Sequence, residues 1–277
     1  MKTEKIKKFI KTFKVKLSFI FILTIILIIL ACTTISAHFP KFIQKIQYEN
    51  QILDFANKNK KSIFSIDEIT LFSSADAKNK VGSTTNFTIE NLYTYTDIAI
   101  FINQVSDEIS LENTLKEVSI QNISFSKTPE NGQIKLFYKN MNDFAKPYIP
   151  ESNQITDEIK FNITSEENAD LSTPTLYNNC ANPITLSYIH ENVKTDYTIT
   201  DTSTPITYSG SLLKRCNVPL SNITNTISFD IYITNNKDQK FKSKIFIPIT
   251  YQSNDKTIYD GNITIKEKVN LIFYQYE

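Results

Sequence analysis

Along most of this chain residues two apart share a chemistry, and that period limits the fold more than any other feature of the sequence. Ile98, Ile100 and Ile102 alternate in TDIAIFIN, and Ile134, Leu136 and Tyr138 in QIKLFYK. Ile159, Phe161 and Ile163 repeat the pattern, as do Ile184, Leu186 and Tyr188. The longest runs come late, at Ile227, Phe229, Ile231 and Ile233, then at Ile245, Ile247, Ile249 and Tyr251. An extended backbone points successive side chains to opposite faces, so each run has one apolar and one polar face. That is the pattern of a half-buried strand in an antiparallel sheet. VNLIFYQYE is less regular: Val269, Leu271 and Phe273 share one face, while Ile272, Tyr274 and Tyr276 take the other. It reads as a strand covered on both faces for part of its length.

The connections fit the same class. Asn131-Gly132 has the residues of a type I′ hairpin turn. NNKDQ (235–239) and SNDK (253–256) supply Asn and Asp in a chain with only four glycines, and Asp260-Gly261 suits a turn or a bulge. Pro248 lacks the N–H that a sheet ladder needs, which places it on an edge strand or at a bulge. Roughly a dozen strands without a convincing helix between them predict a mainly β fold, an antiparallel β-sandwich. KPYIPESN (146–153), with its two prolines, is the best boundary in this region. It divides the body into two immunoglobulin-like lobes, 62–146 and 152–277, the alternative being one large sandwich.

Ahead of the body lies a segment of another kind. Residues 17–35 pass without a charge, and twelve of the fifteen in 17–31 are Leu, Ile or Phe. As a helix the run is roughly 28 Å long, close to the thickness of a bilayer core. Insertion is favoured by something on the order of 4–7 kcal/mol. Residues 1–16 hold seven lysines and one glutamate. Positive flanks stay in the cytoplasm, so 1–16 reads as a basic cytoplasmic tail, 17–36 as a transmembrane anchor, and the rest as extracytoplasmic. Two other fates share that outcome. ILAC resembles a lipoprotein signal ending at Cys32, and ISA before His38 a weak cleavage site. Next, Phe42, Ile43, Ile46, Ile52, Leu53 and Phe55 recur at helical spacing, which predicts a short helical stalk over 40–61.

Few residues point to chemistry. Cys180 and Cys216 are the only cysteines beyond Cys32. Outside a membrane they are candidates for a disulfide, which would stabilise the fold by roughly 4 kcal/mol. Zinc is not expected, because there is no C-x-x-C and only one His beyond the stalk. His190, Cys216 and Arg215 match the residue types of sortases, anchored extracellular transpeptidases. Their order does not match: the sortase Arg lies on a strand after the Cys, and here Arg215 directly precedes Cys216. His190 is expected at a partly exposed strand end. Asp157, Glu158, Glu166, Glu167 and Asp170 read as a solvated face. No G-x-S-x-G, H-E-x-x-H or Gly-rich phosphate loop occurs. The N-x-S/T triplets at Asn86, Asn122, Asn162, Asn222 and Asn262 are what chance supplies in a chain so rich in Asn and Thr. The aromatic run NLYTYTD (91–97) is a candidate contact surface, with packing on a sheet face as the plainer role of Tyr93 and Tyr95.

The broad bias towards Lys, Ile, Asn and Thr suggests an AT-rich bacterial genome. The expectation is therefore a single-pass, membrane-anchored β-sandwich of a bacterial cell envelope, N-terminus inside and body outside. It would act as a non-enzymatic binding or assembly module. Its partners would be the lipid bilayer through 17–36 and another envelope protein or a glycan, with no cofactor. The basic tail and mildly acidic body argue against nucleic acid. The alternatives are an exported fibre or matrix subunit, which in architecture alone resembles the camelysin group, and a lipoprotein held at Cys32. An envelope hydrolase or transpeptidase is the remaining class.

Overall fold

The computed structural model describes residues 21, 23–28, 47, 63–82, 87–104, 108–140, 149–164, 172–177, 183–199 and 211–276. The chain forms two compact units, Met1–Lys58 and Asn59–Glu277. In the first, Phe21, residues 23–28 and Gln47 are helical and exposed. No helix among the described residues is long and apolar enough to cross a membrane. Most of the expected anchor and stalk lies outside the described residues, and so does Cys32.

The second unit is mainly β. Its strands are β1 (Phe64–Gly82), β2 (Phe87–Ile100), β3 (Asn103–Gln104), β4 (Leu115–Phe125), β5 (Gln133–Tyr138), β6 (Gln154–Ile155) and β7 (Ile159–Thr164). They continue with β8 (Thr175–Tyr177), β9 (Ile184–Ile199), β10 (Asn225–Asn235), β11 (Lys240–Ile249), β12 (Ile263–Ile272) and β13 (Tyr274–Gln275). The first sheet runs β12-β1-β2-β9-β5-β6, with β3 paired to the start of β1. The second runs β13-β11-β10-β4-β7-β8. Two short helices, Ser211–Arg215 and Leu220–Ile223, lie between β9 and β10. They and the turn between them cover the core with Leu212, Leu213, Val218 and Ile223.

The alternating positions form that core. Ile98, Ile100, Ile184, Leu186 and Tyr188 of the first sheet and Ile227, Phe229, Ile231, Ile245 and Ile247 of the second belong to one buried cluster. Ring contacts join the sheets: Phe64 meets Phe241 edge-on at 5.4 Å, and Phe125 meets Tyr188 at 6.0 Å. Each ring hides apolar area that either sheet alone would leave wet.

Four expectations change. Strands from both sides of 146–153 share both sheets, since β1 and β2 pair with β12 and β9, and β4 pairs with β10. One sandwich-like unit therefore replaces the division into lobes 62–146 and 152–277, because the chain repeatedly crosses from one sheet to the other. The sheets are not purely antiparallel: β7 and β8 run parallel. VNLIFYQYE is not a strand covered on both faces. Lys268, Asn270 and Ile272 are exposed, the ladder breaks at buried Phe273, and β13 continues in the opposite sheet. The irregular pattern marks that crossing.

Asn131-Gly132 does not close a hairpin either, because β4 and β5 lie in different sheets. The glycine has another purpose. Its φ is +73°, and a Cβ there would fall 1.7 Å from the Glu191 carbonyl oxygen. Only glycine combines that backbone angle with so close a passage over β9. Elsewhere Asn and Asp take glycine's place. Asn122, Asn192, Asp196, Asn217, Asp238 and Asn270 all have positive φ. In the 235–239 turn, Asn235 Oδ1 accepts from the N–H groups of Lys237 and Gln239 at 3.0 and 2.9 Å. Pro248 pairs with Thr226 of β10, while β13 meets β11 only at Phe241 and Lys242, so the missing N–H falls on a locally open edge.

Candidate functional site

Strand parity gives the first sheet two faces. On β2, Leu92, Thr94, Thr96 and Ile98 face the second sheet, while Tyr93, Tyr95, Asp97 and Ala99 point away. Register places Asp97 opposite Phe72 of β1 on one side and Ser187 of β9 on the other. Phe137 of β5 is opposite Ser187 in turn. Tyr93 and Tyr95 are half-buried on this outer face, and Tyr95 packs on Phe72 at 6.4 Å. Burial, with Asp76 beside it, pushes the Tyr93 hydroxyl up to about 12. NLYTYTD thus contributes sheet-face packing through its tyrosines.

The polar centre of this face is an ion pair. Lys139 follows β5, and its N–H donates to Thr185 O at 2.9 Å. Its side chain reaches across β9, and Nζ lies 3.2 Å from Asp97 Oδ2. The Ser187 hydroxyl donates to Asp97 Oδ1. The Lys139 and Asp97 side chains are only 5% and 7% exposed. Next in the chain, Asn140 donates to Thr173 O at 2.8 Å and accepts from Thr175 N at 3.1 Å, which holds the Lys139 backbone in place. Removing two charges from water costs several kcal/mol per ion before their attraction offsets it. Such a pair is therefore weak evidence of a role in stability.

A second polar cluster lies between the sheets. The Ser73 and Thr96 hydroxyls are 2.8 Å apart, and Thr94 Oγ1 lies 3.1 Å from the Tyr251 hydroxyl. Burial pushes the Tyr251 hydroxyl up to about 12, against its hydrogen bonds to Thr94 and Thr96. The Tyr188 hydroxyl, also fully buried, makes no well-formed hydrogen bond, and the Asn225 side chain beside it only partly offsets that burial.

The residues singled out in the sequence do not gather into a site. His190 is 2% exposed in the middle of β9, not at an exposed strand end. Strands β2 and β5 flank it, with Thr94 and Ile134 in register. Its Nε2 lies 2.7 Å from Asn131 O. A carbonyl only accepts, so Nε2 carries the proton, and Nδ1 is buried without a partner. Burial holds this imidazole below its ordinary value, opposed by the Asn131 bond and reinforced by Lys127.

Cys216 is a buried free thiol. Burial pushes it up to about 11, with Lys194 pulling the other way, so it is protonated at neutral pH. A nucleophile needs the thiolate. Arg215 ends the short helix Ser211–Arg215. Cys180 lies outside the described residues, as do Glu166, Glu167 and Asp170, while Asp157 and Glu158 are exposed. Among the described residues no cluster of His, Cys, Asp and Glu could hold a metal ion. Asp97, Lys139 and Ser187 escaped the sequence reading. The only signal was an acid on one strand and a base just after another, and nothing in the order of residues says that they meet over a third strand.

In comparisons with known proteins the chain matches no family model, no curated protein and no solved structure.

Proposed function

We propose that this protein is a membrane-anchored, extracytoplasmic β-sandwich of a bacterial cell envelope, working as a non-enzymatic binding or assembly module. The N-terminus is cytoplasmic and residues 17–36 are the single span. One observation carries the non-enzymatic part: the two groups best suited to catalysis are in the interior. The His190 imidazole is tied to a backbone carbonyl, and the Cys216 thiol is kept protonated. Such groups pack the fold and meet no substrate. The uncharged run behind seven lysines supports the anchor, and the exposed apolar side chains of residues 23, 25–28 suit a lipid environment. Sheet edges and loops are then the surfaces for an envelope protein or a glycan.

The test combines membrane fractionation, intact mass and protease treatment of whole cells. The expected result is a full-length chain in the membrane whose body is digested from outside while residues 1–16 are protected. A shortened soluble chain would replace the anchored module by an exported subunit, and a lipid adduct at Cys32 by a lipoprotein. Full-length protein in the cytosol would overturn the proposal.

A further inference from the structure

We infer that Asp97 and Lys139 are the two ends of an intramolecular amide bond, formed by their own condensation inside the fold. The inference rests on the pair's geometry and is independent of the anchor and of any binding role. Three observations carry it. The amine is 3.2 Å from a carboxylate oxygen, so it is held next to the carboxyl group whose carbon it would attack, and such fixed proximity lowers the barrier. Both side chains are more than nine-tenths buried, so bulk water neither stabilises the charges nor competes for the carboxyl group. Ser187 already donates a hydrogen bond to the carboxylate's other oxygen.

The step balances without an outside reagent. The first move is a proton transfer along their contact, from Nζ to Oδ2, which leaves a neutral amine beside a carboxylic acid. The nitrogen lone pair adds to Cγ of Asp97. Negative charge develops on Oδ1, where the Ser187 hydroxyl is positioned to receive it. The Cγ–Oδ2 bond breaks, and Oδ2 leaves as water, with the proton it gained and a second from nitrogen. Ammonium and carboxylate become one amide and one water, with no change in net charge and no oxidant or metal.

Two less buried pairs mark the contrast: Lys135 Nζ is 3.2 Å from Glu191 Oε2, with its side chain 19% exposed. Lys242 Nζ is 3.1 Å from Asp230 Oδ2, but the Lys242 side chain is 33% exposed. Neither lysine is shut away as Lys139 is, and their carboxylate partners favour the ammonium form. The Asp97–Lys139 bond would join β2 to the segment after β5 over β9, fastening three neighbouring strands of the first sheet.

The experiment is a peptide map of the folded full-length protein, denatured and digested with trypsin. Linked chains give one branched peptide, 81–116 joined through Lys139 to 136–160, lighter by one water than its two parts, with cleavage after Lys139 lost. Lys139→Arg keeps the positive charge but offers no amine that condenses, so the branched peptide is absent from it. If the folded wild-type chain yields only linear 81–116, 136–139 and 140–160, the inference is wrong. That result stands on the wild type alone, whether or not the variant folds.

Discussion

Gly132→Ala tests whether the fold depends on the close crossing over β9. Two costs are separable. A left-handed φ of +73° costs an alanine about 1–2 kcal/mol. A Cβ placed 1.7 Å from the Glu191 carbonyl oxygen must also move two backbones apart. Overpacking of that kind costs about 1–3 kcal/mol more. Together they predict a loss of about 2–5 kcal/mol. For a unit of this size the midpoint should fall by roughly 4–20 °C. Gly261→Ala is the control: its φ of +127° is also foreign to alanine, but nothing lies within 4 Å of the new Cβ. It should lose about 1–3 kcal/mol, from backbone strain alone. Urea unfolding followed by tyrosine fluorescence suits a chain with fourteen tyrosines and no tryptophan. If Gly132→Ala is no more costly than Gly261→Ala, the close crossing is not what the glycine serves. A further sign of the mechanism is that the Asn131–His190 bond beside it should loosen in Gly132→Ala only.

Acid should weaken the fold through His190. Its folded value is depressed, so the unfolded chain binds the proton first; the stability this gives is present above about pH 6.5 and declines as pH falls towards the folded value. The slope reaches at most about 1.4 kcal/mol per pH unit, and His190→Gln, measured by urea unfolding at pH 7 and pH 5, should flatten it; an unchanged difference between the two pH values would refute the role. In the core, Tyr188→Phe should cost little because the hydroxyl it removes makes no well-formed hydrogen bond, whereas Tyr251→Phe should cost about 1 kcal/mol by leaving Thr94 unpaired. Equal losses in the two variants would contradict that pairing.

The strands were legible because their signal is local. Ile227 to Ile233 and Ile245 to Tyr251 alternate, and every one of those apolar positions is buried. The turn at Asn235 was legible for the same reason, since its side chain bonds to N–H groups two and four residues on. Asn131-Gly132 misled because its residues report a backbone angle, and that angle serves a crossing between sheets as well as a hairpin. His190 misled because alternation assigns a side chain to a face, not to a depth: β9 lies between β2 and β5, so its polar residues are covered too.

Composition and period by themselves determined that the body is a stack of sheets, where some of its turns fall, and that an uncharged run follows a basic tail. Each of these is a relation between residues a few positions apart. The sharing of both sheets by both halves, the burial of His190 and the meeting of Lys139 with Asp97 were decided only by tertiary structure. Those features depend on which strand lies beside which. Pairing is set by the total area the sheets can hide together, and that quantity belongs to the whole chain rather than to any segment of it.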